Sequence, residues 1–144
     1  MTAQAQSHLF AYGTLRVAEV MELAAGRRFA AEPARLEGFR RCALAGVVYP
    51  AVLPAPAAVT DGVVYGALDA AALARIDRFE GEIYERHALR VALASGAHCE
   101  AFVYVLRPEH FALATDSDWD LQAFRERHLR DYLASCRAFV RELT

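Results

Sequence analysis

An uncharged stretch of nineteen residues, Cys42 to Thr60, constrains the fold more than any other part of the chain. A helix of this length could cross a membrane. However, Pro50, Pro54 and Pro56 interrupt the stretch, and proline breaks a helix because it lacks the backbone N–H and its ring clashes with the preceding turn. The stretch is therefore predicted to form a strand followed by an extended loop. We accordingly expect a soluble protein with no membrane partner.

Apolar runs bounded by turn residues predict several further strands. They lie in HLFA before a turn at Gly13, in RLEGFRRCALAGVVYPAVL, in VTDGVVYGAL beyond a turn at Asp61–Gly62, in YERHALRVALA and in CEAFVYVL. A turn at Ser95–Gly96 is predicted to join the last two strands. The final strand is apolar on both faces, which is typical of a central strand.

Three segments have the apolar spacing of helices. The first, VAEVMELAAG, is predicted to end at its glycine, and the second is predicted to run from an N-cap at Asp69 to Gly81. A long final helix is predicted to begin at Asp116 or Ser117, since Ser117 and Asp120 match the spacing of a capping box. Strands outnumber helices without regular alternation, so the prediction is a single α+β domain, residues 1–144, built on a curved or barrel-like sheet.

Composition excludes several classes of function. The net charge of -2 provides no electrostatic attraction for nucleic acid. All sixteen strongly basic residues are arginine, so neither a Schiff-base lysine nor a P-loop lysine is present. Cys42, Cys99 and Cys136 are far apart and the histidines show no metal-ligand spacing, so we expect neither a disulfide framework nor a metal or cofactor. The N-terminus lacks the features of a signal peptide, and the expected location is the reducing cytoplasm.

One carboxylate, that of Glu80, is a candidate for acid–base chemistry. The segment Ile76–Arg86 holds four acidic residues within eleven positions, and Glu80 lies in the last turn of the predicted helix. The helix end, repulsion from Asp77 one turn earlier and burial beside Phe79 would each raise the pKa of Glu80 toward neutrality, as a general base requires. The alternative is a frayed, solvated helix end in which Arg78 screens the charge.

The turn Tyr12-Gly13-Thr14-Leu15 is a candidate anion site. A strand that ends in a glycine turn and opens into a helix leaves successive backbone N–H groups unpaired, and such a nest binds carboxylate or phosphate without a cationic side chain. A single glycine is too few for a dinucleotide fingerprint, and no Walker pattern is present. The alternative is an ordinary turn between a strand and a helix.

These motifs together resemble the γ-glutamylcyclotransferase-like superfamily, and within it the avirulence-induced-gene (plant-type) branch. FAYGTLR is followed by VVYPAV, GVVYGAL and IDRFEGEIYERHALRV, in an order and separation that resemble this superfamily. The closing pattern also resembles that branch, through Trp119, Phe124, His128, Leu129, Tyr132, Cys136 and Phe139. The resemblance extends from about His8 to the end of the last predicted helix.

The resemblance implies a small mixed β-barrel or strongly curved sheet with flanking helices, a long C-terminal helix, and a cavity that meets both motifs. Glu80 matches the catalytic glutamate of the family. Tyr12, Gly13, Thr14 and Leu15 match the loop whose amides hold the glutamyl end of the substrate, and Tyr84 is expected to contribute to substrate binding. The mammalian branch that acts on γ-glutamyl amino acids has Asn in place of Leu15, so the exact substrate stays open.

The implied reaction is the cyclisation of a γ-glutamyl amide, with release of 5-oxoproline and an amine. The expected partner is therefore a small γ-glutamyl compound, and Glu82 and Glu85 are expected to be solvated. Two alternatives use the same fold: a non-catalytic module that binds a small carboxylate, and a hydrolase or acyltransferase of another amide. The sequence leaves the leaving amine, the pathway and the oligomeric state undetermined.

Overall fold

Five β-strands close into a barrel in the computed structural model, which describes residues 7–143. The strands are β1 (Ser7–Ala11), β2 (Ala31–Ala43), β3 (Pro50–Leu68), β4 (Tyr84–Leu93) and β5 (His98–Leu106). Around the barrel their order is β1-β3-β2-β4-β5, and β5 returns to pair with β1. This last pair is parallel and the others are antiparallel, so the predicted mixed barrel is confirmed.

In this described part of the chain, four α-helices flank the barrel: α1 (Ala18–Ala25), α2 (Ala70–Glu80), α3 (Leu121–Arg127) and α4 (Leu129–Leu143). Short 3₁₀ turns cover Thr14–Arg16 and Pro108–Leu113. The predicted ends of α2 are confirmed, because the Asp69 side chain accepts a hydrogen bond from the N–H of Ala72, and Gly81 follows the helix with a positive φ of 83°. No helix within residues 7–143 is long and apolar enough to cross a membrane.

The predicted start of the final helix is wrong. The segment before it is irregular instead, because the N–H of Ala43 bonds to the carbonyl of Ser117 and the Thr115 hydroxyl donates to the carbonyl of Ala43. Thr115 and Ser117 are therefore hydrogen-bonded to the end of β2, and Asp120 is the N-cap of α3. The helical region is also divided at His128 into α3 and α4, although the long C-terminal helix remains.

The turn predicted at Asp61–Gly62 and the loop predicted before it are also wrong, because β3 is continuous from Pro50 to Leu68. A Cβ at position 62 would collide with the carbonyl oxygen of Ala11 and the ring of Phe10. Gly62 thus permits the close approach of β1 and β3 and does not form a turn. The pairing of β2 with β3 is irregular between Glu37 and Phe39. Pro54 and Pro56 of β3 therefore lie where the hydrogen-bonded ladder is interrupted.

Two apolar clusters hold the elements together. One draws on all five strands and fills the barrel; it includes Phe10, Leu36, Val52, Val64, Val91 and Val103. The other lies between strands and helices; it includes Leu9, Met21, Leu68, Ile76, Trp119 and Phe124. Burial of each large aliphatic side chain contributes about 1.5–3 kcal/mol, so the second cluster fixes α2 firmly against the barrel. This packing determines where the last residue of α2 lies.

Candidate active site

A cavity of about 120 Å³ opens where the end of β1 meets the end of α2. Its wall includes residues 12–15, the loop that follows β1. Glu80 is the single carboxylate of this wall among the described residues. Aromatic side chains make up much of the remainder, namely Phe10, Tyr12, Tyr49, Phe79, Tyr84, Tyr104 and Tyr132.

All of the site residues predicted from the sequence lie around this one cavity. Tyr12, Gly13, Thr14 and Leu15 line it, and so do Glu80 and Tyr84. The two groups are far apart in the sequence, and they meet because β1 and α2 contribute side chains to the same apolar cluster. Their individual roles remain predictions.

Glu80, the last residue of α2, occupies an environment suited to proton transfer. Its pKa is raised from 4.5 to about 8, first by burial and then by repulsion from Asp77. Both causes were expected from the sequence, and burial is the larger of the two. No hydrogen-bond donor or cation within residues 7–143 contacts the Glu80 carboxylate, which is accessible only in part. The carboxylate is therefore available to a ligand.

The Asp77 carboxylate is held in place by two side chains. The Tyr104 hydroxyl donates to Asp77 Oδ1 at 2.7 Å, and Arg86 Nη1 lies 3.0 Å from Asp77 Oδ2. Tyr104 belongs to β5 and Arg86 to β4, so the barrel wall fixes a negative charge one helical turn before Glu80.

The loop that follows β1 turns back on itself through two hydrogen bonds. The N–H of Arg16 donates to the Gly13 carbonyl at 3.0 Å, and the N–H of Val17 donates to the Thr14 carbonyl at 3.1 Å. Within residues 7–143, no acceptor pairs with the N–H groups of Gly13, Thr14 and Leu15. Three successive free amides beside a cavity can bind an anionic oxygen. The loop thus has the unpaired amides that the sequence predicted.

Pro50 explains why a glycine follows Tyr12 in this loop. A Cβ at position 13 would lie 2.6 Å from Cγ and 2.9 Å from Cδ of the Pro50 ring. The ring cannot easily retreat, since the Tyr84 hydroxyl donates to the Pro50 carbonyl at 2.7 Å. Only glycine fits beneath this ring while the loop keeps its place.

Tyrosine hydroxyls stabilise the site from within. Tyr12 donates to the carbonyl of Tyr104 at 2.6 Å, and Tyr65 donates to the carbonyl of Leu15 at 2.6 Å. Burial raises the pKa of Tyr12 and Tyr84 well above the usual value, so both phenols stay neutral. Because its proton is committed to Pro50, the Tyr84 hydroxyl can only accept a hydrogen bond from a ligand.

Three tyrosines that line the cavity were not predicted from the sequence as site residues. Tyr132 was noted only as part of the closing pattern of the resemblance, and Tyr49 and Tyr104 were not singled out, yet all three line the cavity. Tyr132 reaches the loop directly, with its hydroxyl 3.3 Å from Thr14 Oγ1. The sequence did contain a signal, since these tyrosines occur within apolar strand and helix patterns. A buried tyrosine hydroxyl needs a hydrogen-bond partner, whereas a buried phenylalanine does not.

The neighbouring acids lie away from the cavity. Glu82 is exposed, and Glu85 lies 3.4 Å from Arg107 Nη1 and 3.3 Å from His87 Nε2 at the surface. No cluster of three or more His, Cys, Asp or Glu residues that could hold a metal ion occurs within residues 7–143. Among the acids of this segment, Glu80 alone faces the cavity in the described part of the chain.

Known proteins provide a further comparison. Residues 9–121 match the model of the protein family described as gamma-glutamyl cyclotransferase, AIG2-like. The chain is 27% identical over 139 residues to AIG2-like protein D of Arabidopsis thaliana, which corresponds to 94% of this chain and 90% of that protein. A solved structure from Arabidopsis thaliana has a TM-score of 0.70 and 23% identity over 97% of this chain and 85% of that chain. A structure named gamma-glutamyl cyclotransferase has a TM-score of 0.62 and 18% identity over 93% and 88% of the two chains.

Proposed function

The chain belongs to the gamma-glutamyl cyclotransferase, AIG2-like family, and we propose that it releases 5-oxoproline and a free amine from a γ-glutamyl amide or peptide. The observation that carries this proposal is that Glu80 lines one small cavity together with Gly13, Thr14 and Leu15, whose N–H groups have no acceptor among the described residues. A carboxylate of raised pKa near a set of N–H donors suits a reaction that moves protons and develops negative charge on oxygen.

The substrate supplies its own nucleophile in this reaction. The α-amine of the glutamyl group attacks the side-chain carbonyl carbon and closes a five-membered ring, and the bond from that carbon to the leaving nitrogen then breaks. No serine, cysteine or metal is needed for bond formation. The enzyme must fold the glutamyl chain so that amine and carbonyl meet, and intramolecular attack of this kind has a large rate advantage.

Glu80 would carry the proton between the two nitrogens. Its ionised form takes a proton from the α-ammonium, which frees the lone pair for attack. The resulting carboxylic acid then donates that proton to the leaving nitrogen. The ring nitrogen loses a second proton, and the released amine takes one up from solvent, so the charges balance. A pKa of about 8 allows Glu80 to act in both directions near neutral pH.

The loop amides would bind the negative oxygens of the substrate. The N–H groups of Gly13, Thr14 and Leu15 can hold the α-carboxylate or the oxyanion that forms during attack. The aromatic wall excludes water and supports the apolar part of the glutamyl chain. All three cysteines are unbridged, and we therefore propose a reducing compartment such as the cytoplasm as the setting.

A panel of γ-glutamyl compounds tests the proposal: dipeptides, γ-glutamyl-ε-lysine, glutathione and its breakdown products. Each is incubated with the purified protein, and released 5-oxoproline is measured. At least one compound should be converted with saturation kinetics. If none is converted and 5-oxoproline nevertheless binds, the cavity belongs to a non-catalytic carboxylate-binding module and the proposed reaction is wrong.

A further inference from the structure

We propose that Arg41 is a positioning residue that aims the N–H of Gly13 into the cavity, toward an anionic oxygen of the ligand. The inference rests on the proposed function of the cavity, and it adds a residue that neither motif contains. Arg41 lies on β2 and does not line the cavity among the described residues. Its action would be exerted through the peptide bond between Tyr12 and Gly13.

The geometry of the peptide group relates the Tyr12 carbonyl to the N–H of Gly13. In a trans peptide the carbonyl and the N–H of the next residue lie in one plane and point in opposite directions. Whatever holds a carbonyl on one side of the loop therefore aims the following N–H to the other side. The unpaired N–H groups of Gly13, Thr14 and Leu15 follow the carbonyls of Tyr12, Gly13 and Thr14, respectively.

The loop itself holds two of these three carbonyls. The Gly13 carbonyl accepts the N–H of Arg16, and the Thr14 carbonyl accepts the N–H of Val17. These bonds belong to the 3₁₀ turn and aim the amides of Thr14 and Leu15 without outside help. The Tyr12 carbonyl precedes the turn, and it is held from outside by Arg41 Nη1 at 3.0 Å.

Arg41 is fixed firmly enough to serve as such a support. Its Nε donates to Asp118 Oδ1 at 2.9 Å, its Nη2 donates to Asp61 Oδ1 at 3.1 Å, and its Nη1 also reaches the Asp61 carbonyl at 3.1 Å. The side chain is only 10% exposed. A guanidinium offers five donors in a rigid plane, so one residue can bind both aspartates and the Tyr12 carbonyl together.

Among the described residues, Arg41 is the single donor to the Tyr12 carbonyl. Gly13 has no side chain, so rotation about its backbone bonds meets less steric resistance than in other residues. If Arg41 is removed, the carbonyl of Tyr12 loses this donor, and the peptide can turn so that the carbonyl, rather than the N–H of Gly13, faces the cavity. An anionic oxygen would then meet a carbonyl dipole in place of a donor.

Crystal structures of ligand-free Arg41→Met and Asp118→Asn protein test the inference directly. Asp118→Asn removes the negative charge beside the guanidinium, but the amide oxygen can still accept from Arg41 Nε, and the bonds from Arg41 to Asp61 and Tyr12 remain, so it is a matched control for stability. We expect the Tyr12–Gly13 peptide to be rotated, or to occupy more than one orientation, in Arg41→Met and to be unchanged in Asp118→Asn. Wild-type orientation of this peptide in Arg41→Met would overturn the inference.

Kinetics supply the functional readout. With a γ-glutamyl compound that the panel identifies, kcat/KM should fall about a hundredfold in Arg41→Met, the loss typical for one oxyanion donor, and by less than about threefold in Asp118→Asn. If Arg41→Met does not fold, Arg41→Lys decides. Lysine keeps the charge between the two aspartates but loses the planar fork, and kcat/KM should fall at least about tenfold with a displaced peptide.

The outcomes for Arg41 and for the proposed reaction can be told apart. Wild-type peptide orientation together with kcat/KM within about threefold of wild type in Arg41→Lys would contradict the positioning role. If no compound in the panel is converted, the proposed reaction fails. The orientation of the Tyr12–Gly13 peptide in the crystals then still decides whether Arg41 aims this amide.

Discussion

Asp77 lies one helical turn before Glu80 on α2, and its charge adds to burial in raising the pKa of Glu80 to about 8. Tyr104 and Arg86 hold the Asp77 carboxylate from two strands of the barrel. The protonation of the proposed catalytic group therefore depends on a neighbour that does not line the cavity. This relationship can be tested separately from the reaction itself.

The first prediction concerns Glu80→Gln. Glutamine keeps the shape of the side chain but cannot accept and return a proton at neutral pH. We expect kcat to fall by about a hundredfold to ten-thousandfold, the usual contribution of general acid–base catalysis. KM should change far less, because the loop amides remain in place. Release of 5-oxoproline measures the rates, and circular dichroism establishes that the variant is folded.

Glu82→Gln and Glu85→Gln are the matched controls for this change. Glu82 is exposed and Glu85 pairs with Arg107 and His87 at the surface, so neither contributes to the wall of the cavity. Both variants should retain activity within a few-fold of wild type. Wild-type turnover by folded Glu80→Gln protein would show that Glu80 is not the base.

The second prediction concerns the pH dependence of kcat/KM. The ionised form of Glu80 is the base, so activity should rise with pH and level off above about 8, the pKa in the free enzyme. Asp77→Asn removes the like charge while its amide oxygen can still accept from Tyr104. The rising limb should therefore move to lower pH, whereas Glu82→Gln should leave it in place. An unmoved limb in Asp77→Asn would contradict the coupling.

The third prediction concerns stability as a function of pH. The pKa of Glu80 is about 8 in the folded protein against 4.5 for an ordinary glutamate, so the folded state holds this proton more tightly. The contribution of this proton to the free energy of unfolding is favourable at low pH. It is lost as the pH rises between these two pKa values, with a slope of about 1.4 kcal/mol per pH unit. Glutamine does not titrate.

Urea unfolding of wild type and Glu80→Gln across this pH range provides the measurement. The unfolding free energy of the variant, relative to that of wild type, should increase between about pH 5 and pH 8 and then become constant. A difference that does not vary with pH would mean that Glu80 titrates as an ordinary surface carboxylate. That result would also remove the support that burial gives to the assignment of the base.

The fourth prediction concerns Gly13→Ala. The added methyl group would collide with the Pro50 ring, whose carbonyl is bound by Tyr84, so the loop must shift. We expect a loss of about 1–3 kcal/mol in unfolding free energy, together with a large fall in kcat/KM. Gly66→Ala is the control, because its Cβ would meet only the movable His8 ring at 3.3 Å. Wild-type stability and activity in Gly13→Ala would contradict the described packing.

Local signals in the sequence predicted much of this fold. Asp69 and Gly81 mark the ends of α2 because an N-cap carboxylate and a glycine of positive φ act on neighbouring residues only. The position of Glu80 at the end of α2 followed from these two markers. The mixed barrel was expected from the resemblance of the motifs. It is mixed because β1 and β5 pair in parallel whereas the other strand pairs are antiparallel.

Interactions between distant residues could not be predicted in the same way. Gly62 was predicted to form a turn. In a sequence, a glycine that is required by the close approach of another strand cannot be distinguished from a glycine that forms a turn. The start of the last helical region was predicted too early, because Thr115 and Ser117 are hydrogen-bonded to Ala43 at the end of β2. Arg41 gave no local signal, since its partners lie on three other segments of the chain.

The parallel pairing of Leu9 with Phe102 joins segments from opposite ends of the chain, and this pairing closes the barrel. Contacts so distant in sequence are slow to form during folding, because a long loop must lose its entropy before they are made. The hairpin of β4 and β5 and helix α2 can assemble earlier through local contacts. The cavity would then arise only when β1 docks, so the recovery of the proposed activity on refolding should lag behind the recovery of secondary structure.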